Sequence, residues 1–378
     1  MPALQGGYSP AEAGRDKKIT GVLNLFYNAA WILAVLFIPL IAAQYTKNIF
    51  LISLVLAVYN ATFFISSIVF GRFGDTRGRR RVVGIGFLLS ALLYVAHLLI
   101  KNTGSLFIVR GLAGVTGGMI PGSLTALAWG TSIGLFTGLG SLGMMVANIL
   151  DAVLASDWLI FLTAALFSVI GFFLTFSVRE NSQRIPVPRF PIKVILRNLN
   201  VYLPFLIRHS AAQAIWAVYP LYLFSLGASK FQIGMIYALN PLAQFLFMIS
   251  LDRQKSVSLM KMGVLASAAA FFGFALASNL WVILAFQVVL GYSWANLYMG
   301  SVKYLLENNT EQATANGILN SMIGLSGIIG PLVGGVVALL GIKTMLLSSA
   351  AVAAVAFLIS LVMQRATHQQ PLSLDGRG

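Results

Sequence analysis

Residues 71–81 read Gly71-Arg72-Phe73-Gly74-Asp75-Thr76-Arg77-Gly78-Arg79-Arg80-Arg81, and they stand between two apolar runs, 48–70 and 83–100. Five arginines and a carboxylate cannot lie in hydrocarbon, whereas each flanking run is long enough to cross a bilayer core of about 30 Å as a helix. The short loop therefore holds two antiparallel spans at one membrane face. Working outward, the same pattern recurs. Apolar segments occur at 19–42, 48–70, 83–100, 105–127, 133–154, 158–178, 200–226, 231–250, 261–278, 281–303, 314–340 and 343–364. Of 378 residues, 58% are hydrophobic and 9% charged, against about 25% charged in a soluble domain. The expectation is an all-α membrane protein of twelve transmembrane helices, because lipid leaves backbone polar groups no partner outside a helix.

The net charge of +15 suggests a nucleic-acid surface only until the charges are placed. Nineteen of the 25 Lys and Arg fall on the side of the 71–81 loop, including Arg15, Lys17, Lys18, Arg179, Arg184, Arg189, Lys193, Arg197, Arg253, Lys255 and Lys303. Only Lys47, Lys101, Lys230 and Lys343 fall on the other, while Arg110 and Arg208 lie inside spans. That asymmetry is an orientation signal and puts both termini in the cytoplasm, in a multi-pass protein of the plasma membrane. Nucleic acid is excluded as a partner; the bilayer is the expected one. The first apolar segment is too long for a signal-peptide core and is read as an uncleaved span. The chain has no cysteine, which excludes disulfides, thiolate metal sites and cysteine nucleophiles.

The longest connection contains Pro186, Pro188 and Pro191 and divides the chain into a cytoplasmic tail (1–18), a six-helix bundle (19–178), a basic linker (179–199), a second six-helix bundle (200–364) and a C-terminal tail (365–378). The bundles match at a constant offset of 177 residues: Asp75 with Asp252, Gly86 with Gly263, Ser90 with Ser267, Ala91 with Ala268, Arg110 with Gln287 and Gly114 with Gly291. Duplication of a six-span unit is the mark of a transporter with its solute site at the repeat interface.

At this position in a twelve-span chain, the 71–81 loop resembles the G-x-x-x-D-R-x-G-R-R signature of the major facilitator superfamily, with Thr76 where the family usually has Arg. The resemblance covers nearly the whole chain, down to Phe176-Ser177-Val178-Arg179-Glu180 at the end of the sixth span. It implies two pseudo-symmetric bundles and a latch between them made by Gly71, Asp75, Arg77, Gly78, Arg79 and Arg80, with Asp252 as the repeat counterpart. Glycines permit close helix approach, and the Asp75 carboxylate can be met by a neighbouring Arg or by the positive N-terminus of a helix from the other bundle, such as one beginning near Ala313. Arg110, four residues ahead of Gly114, resembles a second family signature linked to proton coupling; an Arg in hydrocarbon must face a partner or a wet cavity, and Asp151 is its nearest carboxylate in sequence terms. Gly330-Pro331-Leu332-Val333-Gly334-Gly335 resembles the family's antiporter signature, displaced from the fifth span to the eleventh, and also suits a bendable small-residue seam.

In this fold spans one, four, seven and ten line the path. Asn24, Tyr27, Asn28 and Trp31 share one helix face. With them as cavity candidates stand Arg208, Gln213 and Trp216, then Tyr237, Asn240 and Gln244, then Gln287, Trp294 and Asn296, then Asn316 and Asn320. Some of these polar side chains are expected to be interhelical glue. Coupling candidates are Arg110, Asp151 and His209. No Asp or Glu lies mid-span in the lining helices, which suits a neutral polyol-like solute or an organic anion better than a cation. The signatures resemble those of the twelve-helix drug-exporter branch, so the expected function is efflux of amphipathic compounds by alternating access, antiporter-like and coupled to a proton or other ion. A sugar or organic-anion carrier of the same fold is the alternative, and a membrane sensor or scaffold the alternative of another class. A monomer is expected. No enzyme, metal site or cofactor is expected, since neither a Walker loop nor a metal-ligand cluster is present in the sequence.

Overall fold

Helix is the regular structure throughout the computed structural model, which describes residues 10–35, 38–46, 49–154, 156–180 and 184–369. The ends of the two expected tails, 1–9 and 370–378, and Lys47 lie outside the described residues. The amino-terminal portion comprises α1 (Pro10–Leu33), α2 (Ile38–Tyr45), α3 (Ile49–Arg77), α4 (Arg79–Ala96), α5 (Thr103–Leu127), α6 (Ile133–Val153) and α7 (Asp157–Thr175). After a short α8 (Ile192–Arg197) come α9 (Leu199–Ser225), α10 (Lys230–Ser250), α11 (Ser256–Leu276), α12 (Leu280–Asn308), α13 (Gln312–Ala338) and α14 (Ile342–Gln369). Ten of them, α3–α7 and α10–α14, are long and apolar enough to cross a membrane. Their outward faces carry exposed large apolar residues such as Leu92, Phe173 and Val336, the surface expected to meet lipid.

One expectation about the ends of elements needs correction. The first apolar segment, expected to run unbroken from 19 to 42, is split: α1 starts as early as Pro10 and stops at Leu33, and α2 starts at Ile38. Pro39 explains the restart, because a proline ring is tolerated in the first turn of a helix and clashes with the preceding turn inside one. The basic linker is structured in part. It contains α8, and it is tied to the 71–81 segment by Ile185 N donating to Asp75 O (2.9 Å) and by Arg72 Nε donating to the carbonyls of Val187 and Pro188.

The amino-terminal helices pack as α3 on α5, α1 on α6 and α4 on α7, and the carboxy-terminal ones as α11 on α12, α9 on α13 and α11 on α14. Between these sets, α13 packs on α3 and α5, and α10 packs on α6. The approach is at backbone distance: a Cβ added to Gly122 of α5 would stand 2.7 Å from Ala313 O, so only glycine fits there. A carboxy-terminal core around Phe205, Leu297, Val302 and Leu319 fixes the helices on that side of the seam.

Candidate functional site

A cavity of about 340 Å³ lies between the two sets of helices and is lined by both. α1 supplies Asn24, Tyr27, Asn28 and Trp31; α9 supplies Arg208, His209, Gln213 and Trp216; α10 supplies Tyr237, Asn240 and Gln244; Trp294 of α12 and Asn320 of α13 complete the residues anticipated from sequence. Among the described residues that line it there is no Asp or Glu.

Three expected lining residues are corrected to supporting positions. Gln287 is fully buried behind the wall, accepting from Asn240 Nδ2 (3.1 Å) and donating to Tyr219 Oη (2.8 Å). Asn296 donates to Tyr292 O (2.8 Å) and Asn316 to Gln312 O (3.0 Å), so both stabilise their own helices. Conversely, Tyr59 and Asn60 of α3 and Thr137, Ser141 and Asn148 of α6 line the cavity and were not anticipated. The signal for α6 was present in the sequence: 137, 141, 144 and 148 recur at four-three-four spacing and form one helix face. A hydrogen-bonded chain ties this wall together, from Ser141 Oγ to Gln244 Oε1 (2.9 Å), from Gln244 Nε2 to Asn240 Oδ1, and from Asn240 to Gln287. Such a chain orients its members, since each amide's partner fixes which end faces the cavity.

The two in-span arginines are buried differently. Arg110 lies outside the lining, donates to Ala34 O (3.3 Å) where α1 ends, and places its guanidinium carbon 4.2 Å from the Tyr59 ring centroid. Its expected bridge to Asp151 is not formed; Arg110 Nε and Nη2 and both Asp151 carboxylate oxygens are buried without hydrogen-bond partners. The sequence placed both near the outer ends of neighbouring spans, but helix rotation about the long axis decides whether two such side chains meet. Arg208 reaches the cavity wall, where Nε and Nη2 donate to Ser267 Oγ and Ser293 Oγ.

On the side of the cavity where the basic loops lie, the helix sets interlock. Asp75, 2% exposed, accepts from Ala313 N (3.1 Å), Thr314 N (2.7 Å) and Thr314 Oγ1 (2.8 Å), and pairs with Arg79 at 3.0 Å. Both partners considered from sequence, a neighbouring Arg and the N-terminus of a helix from the other set, are therefore engaged at once. Arg79 also donates to Gln312 Oε1 (3.2 Å) across the seam. Gly78 holds φ at 112°, a conformation glycine adopts without strain. Arg77 and Arg80, expected in the latch, do not touch Asp75: Arg77 is exposed over the Phe73 ring, and the Arg80 amide donates to Glu180. Asp252 Oδ1 accepts from Gly134 N (2.6 Å) in the reverse direction across the seam. Gly330 and Gly334 pack on α9 at Ser210, Gln213 and Ala214. Gly335, expected to join them, faces open space, and α13 runs through Pro331 without a break.

A helical seam with a central cavity of mixed aromatic, aliphatic and amide lining, and carboxylates bonded reciprocally across one face, defines a transporter-type membrane fold. The chain belongs to the Major Facilitator Superfamily, whose family model matches residues 20–296 and 201–377. It is an integral multi-pass membrane protein of a family of transporters. Among solved structures it is similar to the human organic anion transporter MFSD10 (TETRAN), with a TM-score of 0.78 and 15% identity, covering 93% of this chain and 100% of that one. It is also similar to a point mutant of the nucleoside transporter NupG, with a TM-score of 0.67 and 14% identity, covering 93% of this chain and 99% of that one. At such identities the likeness is one of fold. No curated protein matches the chain by sequence.

Proposed function

We propose that this protein is a secondary transporter exporting amphipathic small solutes by alternating access, and that the structure is its state closed toward the cytoplasm. In this reading α1 with α2 and α9 add the first and seventh spans to the ten apolar helices, giving two six-span halves with both termini cytoplasmic in the plasma membrane. The observation that carries it is the position of the seal: Asp75, Arg79, Asp252 and Gly134 join the halves on the basic side of a cavity that both halves line. Rocking the halves about that cavity exposes it to the other face. Tryptophans and tyrosines supply the apolar part of the wall and amides the polar part, which suits an amphipathic guest. The similar fold of an organic anion transporter and a nucleoside transporter supports small polar solutes as cargo. The antiporter-like signature in α13 supports exchange, with a proton or another ion as the coupled species.

The test uses the chain's lack of cysteine. Spin labels at Arg81→Cys and Lys255→Cys, both exposed and in opposite halves, report the width of the basic face. The expected result is two interconverting distances in nanodiscs, with efflux of an amphipathic fluorescent dye from proteoliposomes. A single rigid distance with no movement of any dye, with or without a pH gradient, would refute the reading.

A further inference from the structure

Among the described residues, Arg208 is the one cation lining the cavity, and no carboxylate pairs with it. Two ion pairs among the described residues, Arg79 with Asp75 and Arg197 with Glu311, lie at the basic face. A guanidinium has five N–H donors. Nε is given to Ser267 Oγ, one Nη2 hydrogen to Ser293 Oγ (3.1 Å) and one Nη1 hydrogen to His209 Nδ1 (3.5 Å). One N–H on each terminal nitrogen is left, on a side chain that borders the cavity. Two adjacent donors of this kind form the fork that a carboxylate fits bidentately.

The surroundings hold this fork still. Ser267 Oγ and Ser293 Oγ are within hydrogen-bond distance of each other, and each also reaches Gly263 O, at 2.7 and 3.0 Å, so the two hydroxyls are anchored to backbone. The guanidinium carbon lies 5.4 Å from the Phe271 centroid and 5.6 Å from that of Trp294. Next to it stands an aromatic shelf: Trp294 stacks on Tyr298 with centroids 5.2 Å apart and planes 7° from parallel, and His209 lies 4.9 Å from Trp294. Across the cavity, the wall formed by Asn24, Asn28, Asn60 and Asn148 carries amides and no charge. The cavity is thus polarised, with an uncompensated positive pole beside flat rings. In a medium of low dielectric constant such a charge attracts an anion strongly and repels a cation equally.

Resting on the transport reading above, we infer that the solute is an aromatic organic monoanion whose carboxylate is gripped by Arg208 while its ring lies on the Trp294–Tyr298 shelf. Ser267 and Ser293 act as positioning residues that aim the guanidinium. Arg110 plays no part in this recognition, because Tyr59 stands between it and the cavity.

Three ring-matched probes test the assignment: 2-naphthoate, the uncharged 2-naphthamide, and the cation 2-naphthylmethylamine. Binding is read by quenching of tryptophan fluorescence in detergent-purified full-length protein, and transport separately by counterflow in proteoliposomes. Naphthoate is expected to bind at least tenfold more tightly than the amide, and the amine not to compete. Arg208→Gln should abolish that preference by weakening naphthoate alone. Ser293→Ala, which keeps the charge and loses one anchor, should weaken naphthoate by a smaller factor and leave the amide unchanged, providing a readout if Arg208→Gln is misfolded by size exclusion. Equal binding of acid and amide, tighter binding of the amine, or full retention of naphthoate in a folded Arg208→Gln protein would overturn the inference. Binding with the expected preference but without counterflow would refute transport and leave the anion site standing; counterflow without charge preference would do the reverse.

Discussion

Asp75 and Asp252 stand 177 residues apart at equivalent ends of α3 and α10, and each reaches across the seam to a helix of the opposite half, but they are held in unequal ways. Asp75 lies within the last turn of α3, is buried, and satisfies two backbone N–H groups, a hydroxyl and an arginine. Asp252 lies in the turn after α10, is half-buried, and takes one backbone N–H from Gly134. The receiving helices explain the difference. α6 is capped by its own Ser132, whose hydroxyl accepts from Leu135 N (3.0 Å), so one fewer donor is left for a visitor. α13 begins after Glu311, which makes no side-chain cap bond, and its open first turn is satisfied by Asp75. The repeat therefore preserved the principle of a carboxylate at the positive end of a helix and concentrated its strength in one copy.

The largest effect expected from breaking this comparison is that of Asp75→Ala. It leaves the Arg79 guanidinium buried without its counter-charge, a class of change that costs about 3–5 kcal/mol. The Arg81–Lys255 label distance should shift to its long population and the detergent melting temperature should fall. Next is Gly317→Val. Gly317 packs on the α3 backbone, where an added Cβ would lie 3.0 Å from Gly71 Cα, and overpacking of this kind costs about 2 kcal/mol. The same label pair should report partial opening. Asp252→Ala removes a single charged hydrogen bond and should cost about 1.5 kcal/mol, visible as a smaller change in the same distance distribution. If Asp252→Ala opened the basic face as far as Asp75→Ala, the inequality drawn above would be wrong.

Ser132→Ala sharpens the comparison further, since it removes the cap of α6 at a cost of about 1 kcal/mol. In a double-mutant cycle with Asp252→Ala it should be non-additive, because the two acceptors share one helix end; thermal melts of the four proteins give the coupling. The smallest effect is at Glu311. Partial burial acts to raise its carboxyl pKa, yet the hydrogen bond and charge of Arg197 hold it below the usual carboxylate value. A depressed folded-state value means stability that is present above the ordinary carboxylate pKa of about 4.3 and lost as pH falls through the lower folded value. The wild-type melting temperature should exceed that of Glu311→Gln slightly at pH 6, and the two should converge below about pH 4.

Much of this was legible in the linear chain for reasons of solvent. Hydrocarbon forces helix on every apolar run, basic residues mark one face, and the 71–81 signature with its duplicate at Asp252 identifies the family, since none of these readings needs to know which way a helix is turned. The cavity was legible in part: the polar faces of α1 and α9 lie where their spacing put them, because a stripe on one face of a buried helix has one polar direction to take.

Rotation and depth were decided by tertiary structure alone. A span's composition does not state its angle about its own axis, so Arg110 and Asp151, adjacent in the ladder of spans, do not meet, and Gln287 sits one layer behind the wall it was expected to form. The stripe on α6 became a wall because α10 packs against that helix, and Arg208 became the positive pole because Ser267 and Ser293 of two other helices converge on it. Spacing along one chain specifies what shares a face; which faces meet is fixed only when glycine contacts such as Gly122 on Gly317 bring backbones together and leave one packed arrangement.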